Sequence, residues 1–284
     1  MDNRTGFRPK GHAFLAEQAR RTLGVTAFPV LAEIPMPLVH TALGAAVCGV
    51  AVVVRPEALG LRNSAIADVA LALLTAIVLV GYDLLVYPKA RRPGLEGAAL
   101  PTAAVGAFGV VLAGVTPISI RLAAGVVATL VIGGVPQLAG RRLIDAEGGI
   151  IRLLRDIAGI AVLTPVLVAG ASPVLDPLWR GAVVGAITVL VSFDGLRTEN
   201  LSIARAIPLA FVLGAVLAGA TVVIPPSSAQ IGARAAVLLV FWYGLRGMAG
   251  VFAAENTERR LTLLEYGVFV ALAIGALRWF SLQT

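Results

Sequence analysis

The chain has 284 residues, of which 58% are hydrophobic and 14% charged, with a net charge of +7. A soluble domain carries about 45–50% apolar and about 25% charged residues, so an apolar excess spread along nearly the whole chain excludes an ordinary soluble fold and requires lipid as solvent. The positive charge sits in short segments between apolar runs, which is the positive-inside bias with attraction to anionic head groups, and there is no continuous basic face to track a nucleic-acid backbone.

Cofactor chemistry is bounded by what is scarce. There is one cysteine, Cys48, which excludes an intrachain disulfide and four-cysteine metal or iron–sulfur sites. The two histidines, His12 and His40, are too few for a His-rich metal centre. No phosphate-binding Gly-x-x-x-x-Gly-Lys loop, His-Glu-x-x-His or Gly-x-Ser-x-Gly motif occurs. The expectation is therefore no metal, no cofactor and no catalytic residue set.

In chain order, residues 1–35 read as a cytoplasmic N-terminal segment. Arg4, Arg8 and Lys10 are followed by no apolar stretch of signal-peptide type, and Gly11–Ala32 mixes Phe14, Leu15, Leu23, Phe28 and Leu31 with Glu17, Arg20 and Arg21. That pattern predicts an amphipathic helix lying on the membrane surface. Residues 36–284 read as the transmembrane domain. A span needs about 20 apolar residues, and nine runs qualify: 36–54, 65–87, 98–115, 119–140, 154–171, 178–193, 203–224, 231–252 and 263–281. The predicted fold is an all-α polytopic transmembrane helical bundle.

Topology follows from charge. With the N-terminus inside, 17 of the 23 Lys and Arg residues fall in inside segments and six (Arg55, Arg62, Arg121, Arg180, Arg234 and Arg278) outside. This split matches the positive-inside rule and puts the C-terminus outside, with Trp279 and Phe280 as interface anchors. The host membrane is expected to be the bacterial cytoplasmic (inner) membrane.

The even spans end alike: Gly81-Tyr82-Asp83, Gly140-Arg141-Arg142, Phe193-Asp194-Gly195-Leu196-Arg197 and Trp242-Tyr243-Gly244-Leu245-Arg246. One reading is a repeat of helical hairpins; the other is ordinary helix-end chemistry, in which glycine and arginine recur near C-termini. Small residues recur four apart, at Gly44 with Cys48, Gly109 with Ala113, Gly181 with Gly185 and Gly214 with Ala218, a spacing that lets membrane helices approach closely.

Polar groups inside a membrane are expensive and mark function by default. The densest group lies at the inner span ends: Asp83, Arg141, Arg142, Asp145, Asp156, Asp194, Arg197, Glu199, Tyr243, Arg246 and Glu255. Of these, Asp83, Arg141, Arg142, Asp194, Arg197, Tyr243 and Arg246 form the candidate binding cluster, where arginine would supply bidentate contacts to a phosphate-bearing head group. The alternative is a ring of interfacial ion pairs that fixes helix ends. Three functions fit. The first is a non-enzymatic subunit of a larger membrane assembly, because charge reads as scarce in the spans and small-residue faces recur. The second is a transporter or lipid flippase, because Gly and Pro interrupt spans such as 119–140. The third is an enzyme acting on a lipid-linked phosphate at the cytoplasmic leaflet. Expected partners are membrane lipids, including anionic head groups, and other membrane subunits or further copies of the chain, with no nucleic acid.

Overall fold

The computed structural model describes residues 69–81, 95–114, 126, 129–131, 149–171, 176–199, 201–224, 230–253 and 259–282. They are all-α. The helices are α1 (Val69–Gly81), α2 (Leu95–Gly114), α3 (Gly149–Ala171), α4 (Pro177–Thr198), α5 (Ile203–Val223), α6 (Ile231–Ala253) and α7 (Arg259–Leu282), with a short helical stretch at 129–131. Five of them are long and apolar enough to cross a membrane: α4, α5, α6, Arg152–Ala171 of α3 and Leu263–Phe280 of α7. The run at 36–54 and the N-terminal segment lie outside the described residues.

Several helices overrun their predicted spans, α3 and α4 the furthest, because hydropathy falls before the backbone stops being helical. The sequence places the fifth span at 154–171, and α3 starts at Gly149, taking Arg152 into its first turn. It places the sixth at 178–193, and α4 runs on to Thr198. Leu196 and Arg197 continue α4 as good helix formers, and Asp194 is held in it by Arg155. Thr198 also folds its Oγ1 back onto the Asp194 carbonyl at 2.8 Å, closing the last turn. At the other end, Asp176 caps α4 by accepting from the Leu178 backbone N–H at 2.9 Å, and Pro177 takes the first helical position, where no N–H is required.

α4 is the centre of the bundle. It packs on α2, α3, α5 and α6, and residues Val191–Leu196 are all buried. Its neighbours run antiparallel where side chains show the register. Arg155 near the start of α3 meets Asp194 near the end of α4, and Gly170 near the end of α3 faces Val184 near the start of α4. α5 lies closest. A Cβ on Gly214 would meet the Gly185 carbonyl oxygen at 2.8 Å, and one on Gly185 would meet the Ala218 Cβ at 3.1 Å. The small-residue pairs read from the sequence, Gly181 with Gly185 and Gly214 with Ala218, thus lie against each other across one helix crossing, where bare backbones approach.

α6 returns antiparallel to α5, with Arg205 donating to the Ala253 carbonyl at 3.2 Å. α7 packs on α6 at the edge and turns Leu264, Leu272, Ile274 and Trp279 outward, a face suited to lipid. The main core joins Leu100 and Ala104 of α2, Leu163 and Val166 of α3, Val184 and Val191 of α4, Leu217 of α5, and Leu238 and Trp242 of α6.

A charged network at the ends of three helices

Arg155, Gly159, Val162, Leu163, Val166 and Leu167 are buried along one stripe of α3, at helical spacing. The first of them is a cation. The Arg155 guanidinium is aimed at α4, where it grips Asp194 with two nitrogens: Nε donates to Oδ2 at 3.2 Å and Nη2 to Oδ1. Arg155 is 1% exposed and Asp194 2%. This is a buried fork-to-carboxylate pair, the geometry arginine matches best.

The next residue, Asp156, points to a different partner. Its Oδ1 accepts from Arg246 Nη2 of α6 at 2.7 Å, and the same nitrogen lies 3.4 Å from Glu199 Oε1, one residue beyond α4. Arg246 is therefore shared between carboxylates of two segments. Its guanidinium also lies 5.6 Å from the Trp242 ring centre, within cation–π range. Trp242 is fully buried and donates from Nε1 to Ser192 Oγ of α4 at 2.9 Å. Tyr243, half-exposed, stands edge-on to Tyr266 of α7 with ring centres 5.9 Å apart.

Two glycines give these charges their seats. A Cβ on Gly195 would strike the Arg246 guanidinium, with Cζ at 2.5 Å, and one on Gly250 would strike the Glu199 carboxylate, with Cδ at 2.9 Å. In both cases the obstructed atoms are the far ends of side chains, so an added methyl displaces the charged group rather than the helices. Gly250→Ala is expected to leave the fold in place and push Glu199 off Arg246. Thermal unfolding in detergent should move by no more than the worth of one hydrogen bond to a charged group, about 1.5–3 kcal/mol. A larger loss would mean that the glycine serves backbone packing instead.

Glu199 binds its proton more tightly than an ordinary carboxylate. Burial is the largest cause, since it disfavours the ionised form, and Asp156 nearby adds to it; Arg246 and Arg152 oppose. Its side chain keeps 25% of its exposure, so protons reach it from water.

Of the seven candidate residues, Asp194 and Arg246 fall within this network. Tyr243 lies beside it on α6, and Arg197 donates from Nη1 to the Leu201 carbonyl, bracing the α4–α5 turn. Asp83, Arg141 and Arg142 lie outside the described residues. Asp156 and Glu199 belong to the wider polar group that the sequence reading collected at the predicted inner span ends. Sequence reasoning missed Arg155, Trp242 and Ser192. The signal that could have found them is periodicity: each falls on the buried stripe of its helix. Among the described residues, no group of three or more His, Cys, Asp and Glu is arranged to hold a metal ion.

The long apolar helices, packed on an apolar core with buried charge at their ends, define an integral membrane protein with several membrane-crossing helices. No protein-family model, curated protein or solved structure matches the chain.

Proposed function

We propose that this chain is a membrane transport protein whose working site is the network of Arg155, Asp156, Asp194, Glu199 and Arg246. The observation that carries the reading is the sharing of Arg246 between Asp156 and Glu199 at the meeting of α3, α4 and α6. Hydropathy alone favours an assembly subunit, because charge reads as scarce inside the spans. Arg155, Arg180, Asp194, Arg234 and Arg246 are all buried, which favours the transport alternative.

Proton occupancy of Glu199 decides how Arg246 is held. Ionised, Glu199 joins Asp156 on the guanidinium and ties the end of α4 to α3 and α6. Protonated, it leaves Arg246 to Asp156. A carboxylate that changes charge between packed helices biases their arrangement, the elementary requirement for coupling proton movement to a conformational step. The groups facing Glu199 are Arg246 from α6, Asp156 and Arg152 from α3, and the Tyr266 hydroxyl from α7.

The pH dependence has a definite sign. The folded protein binds this proton more tightly than the unfolded chain does. Its stabilising contribution is complete below the ordinary glutamate range and is lost as pH rises through the elevated folded value. Glu199→Gln should remove that component, so unfolding of the variant in detergent should change less with pH across this window than that of the wild type.

The function is tested with the full chain in proteoliposomes holding a pH-reporting dye. They are challenged with inorganic phosphate, a dicarboxylate, a zwitterionic amino acid and a sugar, with a fluorescent phospholipid assayed in parallel. The expected result is movement of at least one of these with a pH dependence that Glu199→Gln removes. Failure to move protons, any of these solutes or lipid would overturn the proposal.

A further inference from the structure

The opposite end of the same three helices buries two arginines that, among the described residues, form no ion pair. Arg180 and Arg234 each occupy the fourth position of their helix, α4 and α6, with backbone N–H groups bonded to the Asp176 and Gln230 carbonyls at 2.9 and 3.0 Å. Arg180 is 2% exposed and Arg234 1%. Arg180 donates only a long bond from Nη1, 3.5 Å to the Gly170 carbonyl at the end of α3, and its Nε has no partner. Arg234 has neither Nε nor Nη1 paired, and its guanidinium lies 5.7 Å from the Phe280 ring centre of α7. Among the described residues neither is within ion-pair distance of a carboxylate.

Both arginines stand at one level of α3. Arg180 reaches Gly170 directly. For Arg234, the register follows from Arg246 on Asp156: twelve residues back along α6 and twelve forward along antiparallel α3 pair Arg234 with position 168. At about 1.5 Å per residue, that is within about one turn of Gly170. Burying two guanidinium groups with open donors is strongly unfavourable unless an anion answers them. Guanidinium is the cation that best fits a planar or tetrahedral oxyanion, through paired N–H donors. The first turns of α4 and α6 add the positive ends of two helix dipoles.

We infer that Arg180 and Arg234 form an oxyanion-binding site, taking a phosphate group at the end of the bundle where α4 and α6 begin. Trp179 and Leu178 beside it are largely exposed, as residues at a membrane interface are, so the phosphate comes either from a lipid head group or from free solution. The site goes beyond the transport reading and does not depend on it, since binding is measured without flux.

The test uses the purified full chain in a neutral detergent and follows thermal stability and equilibrium binding with inorganic phosphate, with short-chain phosphatidylglycerol, and with phosphatidylcholine as the neutral-headgroup comparison. The expected result is saturable binding and a rise in unfolding temperature with phosphate or the anionic lipid. Arg180→Gln and Arg234→Gln should each weaken it about tenfold or more. Arg234→Lys keeps the charge and the fold but not the fork, and should weaken binding by less. Arg205→Gln, exposed at the other end of the bundle, should leave it unchanged. Response to phosphate identifies a soluble anion, and response to phosphatidylglycerol alone identifies a head group. Absence of saturable binding to either by the wild type, or binding unaffected by the Arg180 and Arg234 substitutions, overturns the inference.

Discussion

Arg155→Ala is expected to destabilise the protein by about 3–5 kcal/mol, because it takes the two-nitrogen fork away from the Asp194 carboxylate, which is 2% exposed between α3 and α4. Asp194→Ala should cost a similar amount from the other side. The loss measures a buried charge deprived of its main counter-charge, not the worth of the pair. Two charges brought out of water carry a large desolvation penalty, which their attraction only partly offsets. The paired replacement Arg155→Met with Asp194→Leu should therefore recover most of the stability lost by either alanine variant. Reversible unfolding in mixed micelles reads all three. Single variants as stable as the wild type would show that the pair is not buried in the folded protein. A paired variant no better than the singles would show that the ion pair itself holds α3 on α4.

The second large effect is steric. Gly214→Val is expected to separate α5 from α4, since its Cβ would stand 2.8 Å from the Gly185 carbonyl oxygen and 2.5 Å from Val189 Cγ2. A backbone oxygen cannot rotate away, so the helices must part along a crossing that also seats Gly181 against α5. Overpacking of this kind costs about 1–3 kcal/mol and sometimes more, and valine adds two methyl groups to the clash. Gly219, five residues on in the same helix, has nothing within 4 Å of its Cβ position and faces outward. Gly219→Val should be close to neutral. Unfolding of the two variants side by side separates lost packing from valine's lower helix propensity. Equal losses would show that α5 does not rest on a close crossing at Gly214.

How the chain is divided was legible because lipid imposes a strict rule: a span must satisfy its own backbone and hide few charges. The runs at 203–224 and 231–252 therefore lie within a residue or two of Ile203–Val223 and Ile231–Ala253. The small-residue strips at Gly181 with Gly185 and Gly214 with Ala218 were legible for a related reason, since small residues four apart leave a bare strip of backbone, but that the two strips meet each other was not. Charge was harder to place. Arg180 and Arg234 count with the outside charge because hydropathy averages over a window and sees only that they stand near span ends. Yet Arg180 shares a face with Val184, Ile187 and Val191, and Arg234 with Leu238, Phe241 and Trp242.

The sequence by itself determined that the chain lives in a membrane as apolar helices and where most of the described helices fall, because those properties depend on composition and on neighbours along the chain. Which charges meet was decided by the tertiary structure alone. Arg155 and Asp156 are consecutive and point to different helices, and Arg246 finds Asp156 ninety residues away. Ion pairing depends on distances of a few ångströms between helices, and those are set by how small residues and side-chain ridges pack, information that no single segment contains.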